Sequence, residues 1–253
     1  MVARGPAMAT AARSANPPPA PASARAPRSQ TSARLSGATL TVLAALGGLA
    51  IVFTTDQVLP ATSEHQAQLR IWLGSRAAGF VALLLLTFEV VLGLVLSHPT
   101  NKSTWRLSKR LFPWHEHTWV FTVSFVVVHV VSIAMDRFAN VGWLGAVVPG
   151  MSEYRTVPVA IGTIALYAML VTGLTARMTR LLPAGLWLKL HRLSLGVLGL
   201  AWAHGMLDVT DTFDAIAIYG GTFVAVALAA AYRYWIVRAA RPTFASSLPE
   251  DRA

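Results

Sequence analysis

The sequence predicts an all-α integral membrane protein: a bundle of six transmembrane helices with both termini on the cytoplasmic side. Three observations predict it. Of the 253 residues, 55% are hydrophobic and only 13% are charged, against roughly a quarter charged in soluble domains. The apolar residues come in blocks of about twenty, long enough for a helix to cross the roughly 30 Å hydrocarbon core. The remaining charges change sign from one connection to the next.

Residues 1–34 are rich in Ala, Pro, Ser and Arg, and the first acidic residue of the chain is Asp56. Such a segment cannot build a packed core, so a disordered basic tail is expected. It lacks the apolar centre of a signal peptide; its Arg- and Ser-rich, acid-free character is shared by organellar transit peptides, but a cytoplasmic tail is the simpler reading. Six apolar spans follow at about 36–53, 71–96, 114–134, 156–176, 191–207 and 215–237. The fifth is short, and Leu186 is an earlier starting point for it. Residues 35–238 thus form the membrane domain, and 239–253 a short cytoplasmic tail.

The charges set the orientation. The N-terminal tail, the second connection (Lys102, Arg106, Lys109, Arg110), the fourth (Arg177, Arg180, Lys189) and the C-terminal end (Arg233, Arg238, Arg241) are basic. The alternate connections carry Asp56, Glu64, Asp136, Glu153, Asp208, Asp211 and Asp214 against Arg70, Arg137 and Arg155. An excess of Lys and Arg marks the cytoplasmic side. The net charge of +10 therefore reflects topology and not nucleic-acid binding. The absence of cysteine excludes disulfides, thiolate metal sites, iron–sulfur ligation and covalent haem attachment.

Ionisable residues inside the bilayer are costly and tend to mark function. The stretch "HEHTWVFTVSFVVVH" places His115 and His117 at the inner end of the third span and His129 near its outer end; "HRLSLGVLGLAWAH" places His191 and His204 likewise on the fifth. His65, in the first outer connection, and His98, at the inner end of the second span, read as solvated interfacial residues. The third and fifth spans run in the same direction, so their histidines form two levels. Neutral imidazole is the commonest protein metal ligand, and a haem takes one imidazole on each face. His115 with His191 makes an inner pair and His129 with His204 an outer pair, roughly 20 Å apart at about 1.5 Å per residue. Helical phase favours His115 over His117. Fourteen steps to His129 fall about 40° short of four turns, whereas twelve steps from His117 overshoot three by about 120°. Thirteen steps from His191 to His204 fall about 140° short of four turns, which calls for tilt or an irregular first turn at His191.

Over residues 70–207 the chain resembles the ferric reductase-like transmembrane domain family, shared by NADPH oxidases, ferric reductases and the haem-binding subunit of a bacterial methionine-sulfoxide reductase system. The resemblance rests on "SRAAGFVALLLLTFEVVLG", on the two histidine stretches, and on "DRFANVGWLGAVVPGMSEYR", which looks like the outer segment of small bacterial members. It implies two b-type haems paired first with first and second with second, and a bacterial cytoplasmic membrane location. Family oxidases and ferric reductases usually continue into a flavin- and NADPH-binding module. Only "RAARPTFASSLPEDRA" follows the sixth span, so no flavin or NADPH site is expected in this chain.

Within the second span, Arg76 lies about 8 Å below the outer surface. Its guanidinium suits a haem propionate, as the family's helix-two Arg implies, or snorkels to the interface. Glu89 is open between an ion pair, a proton relay and a protonated packing role. Arg110, Lys189 and Arg192 flank the inner level, where the positive-inside pattern alone would put them. Trp119 and Trp202 lie within a turn of proposed ligands, so either could pack on a haem edge. Gly196 and Gly199 would admit a flat macrocycle or a neighbouring helix. Asp208, Asp211 and Asp214 read as a solvated outer loop, with a hard-cation site as the sharper alternative.

The leading expectation is transmembrane electron transfer through two haems, as the membrane subunit of a reductase. A separate flavin reductase or a quinol would supply electrons inside, and ferric iron, oxygen or a partner redox protein would take them outside. A quinol-linked cytochrome b anchor, and a haem-free transporter or scaffold, are the alternatives.

Overall fold

The first apolar block becomes helix α1, Gly37–Val58, in the computed structural model, which describes residues 36–97, 105–183, 185–209 and 212–239. The expected N-terminal tail, His98, Lys102, Asp211 and the C-terminal tail beyond Ala239 lie outside the described residues. Ser36 caps α1, its hydroxyl accepting from the Thr39 amide at 3.1 Å. Helix α2, Glu64–Leu96, starts seven residues before the apolar block does. The cause is a local cap: Ser63 Oγ accepts from the Gln66 amide at 3.2 Å, and Gln66 Oε1 accepts from the Thr62 amide at 2.7 Å. This is a variant of the reciprocal Ser-x-x-Gln arrangement that satisfies free amides at a helix start. His65 accordingly sits exposed in the first turn of α2 rather than in a connection.

Helix α3, Trp105–Met135, also begins earlier than expected and continues through Pro113. After it, Asp136 Oδ2 accepts from the Ala139 amide at 2.6 Å and closes the turn. A short helix α4, Gly142–Val147, precedes α5, Thr156–Arg177. Arg155 stands in the left-handed region (φ 39°) at the start of α5. The fifth expected span is divided. Helix α6, Leu186–His191, ends at a turn over Arg192 and Leu193, and α7, Ser194–Asp208, continues from there. Helix α8, Thr212–Ala239, closes the described chain.

Five of these helices, α1, α2, α3, α5 and α8, are long and apolar enough to cross a membrane. Among the described residues there are helices and no strands. The chain is an all-α, multi-pass membrane protein. Helix α2 is the common neighbour of α3, α7 and α8; α3 also packs on α1, and α7 on α5. Midway along the bundle, Leu83, Leu86 and Val90 of α2 pack with Met169 of α5 and Val197 and Leu198 of α7. Leu40, Leu46 and Ile51 of α1 and Phe223 and Leu228 of α8 are exposed, as lipid-facing positions require.

Candidate functional site

The four histidines singled out by spacing form two pairs. The rings of His115 and His191 lie 5.9 Å apart, centroid to centroid, and those of His129 and His204 lie 6.2 Å apart. The pairing in this order makes α3 run in the same direction as the α6–α7 segment. The break at Arg192 and Leu193 falls directly after His191, so the thirteen-residue interval need not keep regular helical phase.

One metal between two opposed imidazoles needs a particular spacing. With metal–nitrogen bonds of about 2.0–2.1 Å and a ring radius of roughly 1.15 Å from bond lengths near 1.33 Å, the two centroids stand roughly 6.4 Å apart. Both pairs are within about half an ångström of that value. Among the described residues no group of three or more His, Cys, Asp or Glu converges on a point, so the donor set suits an axial pair and not a cage around a bare ion.

Surroundings differ between the levels. His129 Nδ1 lies 2.8 Å from the Ser75 carbonyl oxygen on α2, and His204 Nδ1 lies 2.8 Å from the Pro158 carbonyl oxygen on α5. A carbonyl only accepts, so each ring must carry its proton on Nδ1 and leave the Nε2 lone pair for a metal. Ser75 Oγ is also 3.2 Å from His129 Nδ1 and donates to the His129 carbonyl at 3.1 Å. The Nδ1 atoms of His115 and His191 are buried and have no hydrogen-bond partner.

At the His129/His204 level opens a cavity of about 190 Å³. Its walls run down to Leu86, Met169 and Val197 and are mostly apolar; Arg76, Tyr154 and Asp208 supply polar groups. This lining of apolar side chains with two imidazoles and one guanidinium would suit an apolar, metal-bearing ligand with acidic edge groups. Arg76 lies over the Trp72 ring at 4.7 Å and near Phe80 at 6.0 Å. At the same end, Arg155 Nε stands 3.6 Å from Asp208 Oδ1, and Arg155 donates to the Leu207 carbonyl at 3.2 Å. Burial pushes the Tyr154 phenol up from its ordinary pKa, and the Asp208 carboxylate adds to the effect.

Other expected site residues fall elsewhere. His117 is exposed, and its Nδ1 donates to the Pro113 carbonyl at 2.6 Å within its own helix. Glu89 is buried and accepts from Thr122 Oγ1 at 2.7 Å. The Trp119 ring seats on Gly173 of α5. Trp202 donates to the Tyr219 carbonyl of α8 at 3.2 Å. Gly196 and Gly199 have nothing within 4 Å of where a side chain would begin. The close glycines are others. A Cβ on Gly79 would stand 2.9 Å from His129 Nδ1, and one on Gly162 would stand 2.8 Å from His204 Nδ1. A sequence signal existed for α2: Gly79 and Gly93 are fourteen residues apart, as are His115 and His129.

No protein-family model, curated protein or solved structure matches the chain.

Proposed function

We propose that this chain is the haem-binding membrane subunit of an oxidoreductase and carries single electrons across a bacterial cytoplasmic membrane. His115 and His191 would hold an inner b-type haem and His129 and His204 an outer one. In this reading there are six spans with both termini inside, and α6 and α7 together make the fifth. The Lys- and Arg-rich connections support that orientation. One observation carries the proposal: the histidines of α3 meet those of the consecutive helices α6 and α7 pairwise at 5.9 and 6.2 Å between rings, close to the separation one iron requires.

Held between His115 and His191 or between His129 and His204, a haem iron would supply one-electron exchange and would leave no position for a small molecule. The protein positions, neutralises and insulates. His129 and His204 keep Nε2 unprotonated because their Nδ1 atoms are engaged on carbonyls. Arg76 offers a guanidinium to carboxylates at the cavity edge. The packed layer of Leu83, Leu86, Val90 and Met169 would exclude water between the two levels, which the rise of α3 separates by about 21 Å. The donor would be a flavin reductase or a quinol at the inner level; the acceptor would be ferric iron, oxygen or a partner redox protein outside.

Haem stoichiometry tests the proposal. Wild-type protein produced with ample haem is expected to show a Soret band and two haems per chain. Alanine at His115, His129, His191 or His204 should each remove one. A colourless wild type ends the reading, and two haems surviving His204→Ala end the outer assignment.

A further inference from the structure

The outer histidines are seated by the same device on two different helices. In an α-helix each carbonyl accepts from the amide four residues on, and it keeps a second lone pair free. That lone pair is normally screened by the side chain one turn later on the same face. On α2 the residue four after Ser75 is Gly79; on α5 the residue four after Pro158 is Gly162. In both places the missing side chain opens a notch, an imidazole lies in it, and its Nδ1 reaches the carbonyl at 2.8 Å. A methyl group in either notch would press on the ring at 2.9 or 2.8 Å from Nδ1, closer than Cβ atoms normally approach anything.

The inner level repeats the arrangement on one side only, and more loosely: on α2 the residue four after Glu89 is Gly93, and the Glu89 backbone faces His115. Gly93 faces His115, but a Cβ there would meet the ring only at 3.6 Å, an ordinary contact. His115 Nδ1 stays beyond ordinary hydrogen-bond reach of that backbone, and His191 Nδ1, on the last residue of α6 before the turn, has no hydrogen-bond partner.

We infer that Gly79 with the Ser75 carbonyl and Gly162 with the Pro158 carbonyl are positioning notches that lock His129 and His204 as Nδ1–H tautomers. The outer site would thereby be preorganised on both sides for a metalloporphyrin, whereas at the inner site His115 is seated loosely and His191 is fixed only as the ligand binds. This rests on the haem reading above and adds an ordering to it. A carbonyl-bound Nδ1–H also makes the imidazole a stronger donor to a metal, so the outer iron is held more tightly and its oxidised form is favoured.

The test uses the full-length protein in detergent, with pyridine-haemochrome content and the low-spin ferric EPR signals as readouts. The outer signal is the one missing from His129→Ala. Gly79→Ala and Gly162→Ala are expected to abolish or shift that signal alone, haem content falling by up to half. Gly74→Ala is the control: it adds a methyl to the same helix, 3.0 Å from Val52 of α1 and away from the histidines, and should keep both signals. In wild type, washing with apo-myoglobin should strip the inner haem first. Unchanged outer signals in both notch variants overturn the inference, as does equal loss of both haems, which marks a bundle-wide packing defect. A wild type without haem instead removes the underlying reading, so the two failures are distinct.

Discussion

Thr122 Oγ1 donates to Glu89 Oε1 at 2.7 Å, joining α3 to α2 inside the bundle. Thr122 is fully buried and Glu89 is 7% exposed. Thr122 also donates to the Thr118 carbonyl at 3.2 Å, so its hydroxyl is shared between its own helix and the carboxyl. Thr122→Val keeps the shape and removes the donor. A stranded buried polar group costs about 1–3 kcal/mol, while side-chain hydrogen bonds between transmembrane helices average about 0.6 kcal/mol. A loss of about 1 kcal/mol in unfolding stability in detergent is expected. Glu89→Gln, whose amide oxygen still accepts, should lose less. Thermal unfolding of the two variants beside wild type checks the order; a Thr122→Val protein as stable as wild type would remove the bond's structural role.

His117 separates a local histidine from a ligand. It lies two residues from His115, yet its ring turns back to the Pro113 carbonyl at 2.6 Å and is exposed. The Pro113 carbonyl stands four residues before His117 on the same helix face, so this bond stays within one turn of α3 and takes the ring out of the inner level. His117→Ala should therefore retain both haems and an unaltered absorption spectrum, at a stability cost of about 0.5–1.5 kcal/mol for one hydrogen bond. Loss of a haem on this substitution would move the inner ligand from His115 to His117.

The apolar cores of five of the six expected spans were legible because lipid demands uninterrupted hydrophobic runs; the ends were not, because caps and amphipathic first turns set them, nor was the division of the fifth into α6 and α7. Helix α2 begins at the Thr62–Ser63–Gln66 cap, and α3 extends back to Trp105 through a basic segment. The histidine pairs were legible because depth and interval survive rotation of a helix about its axis. Which face α2 turns to α3 does depend on that rotation, so Ser75, Gly79, Pro158 and Gly162 were invisible as a set. Gly196 and Gly199 drew attention by residue type, yet they meet nothing within 4 Å.

Glycine substitutions report that rotation directly. A Cβ on Gly205 would overlap the Tyr219 hydroxyl of α8, and one on Gly173 would overlap the Trp119 ring of α3. Tyr219 is itself buried and held against Trp202, their rings 5.9 Å apart. Gly205→Ala and Gly173→Ala should each destabilise by about 1–3 kcal/mol through overpacking. Gly196→Ala has no neighbour to meet, and the methyl raises helix propensity by about 0.8–1.0 kcal/mol, so it should be neutral or slightly stabilising. Unfolding midpoints in one detergent rank the three. If Gly196→Ala proves as costly as Gly205→Ala, an unseen neighbour covers that face of α7.

Arg76 carries the last prediction. Its guanidinium stacks over Trp72 at 4.7 Å and lines the cavity that holds His129 and His204. A fixed positive charge favours the electron-rich form of whatever lies beside it. A unit charge at roughly 8–12 Å in an effective dielectric of about 20 contributes about 1.4–2 kcal/mol, which is on the order of 60–90 mV for one electron. Arg76→Gln should lower the midpoint of the outer haem by that order and leave the inner one in place. Arg76→Lys keeps the charge but loses the planar stack, so its shift should be smaller. A spectroelectrochemical titration resolves the two transitions. A shift shared equally by both, or none in either, would mean that the Arg76 charge is balanced by its protein neighbours and not directed at the outer level.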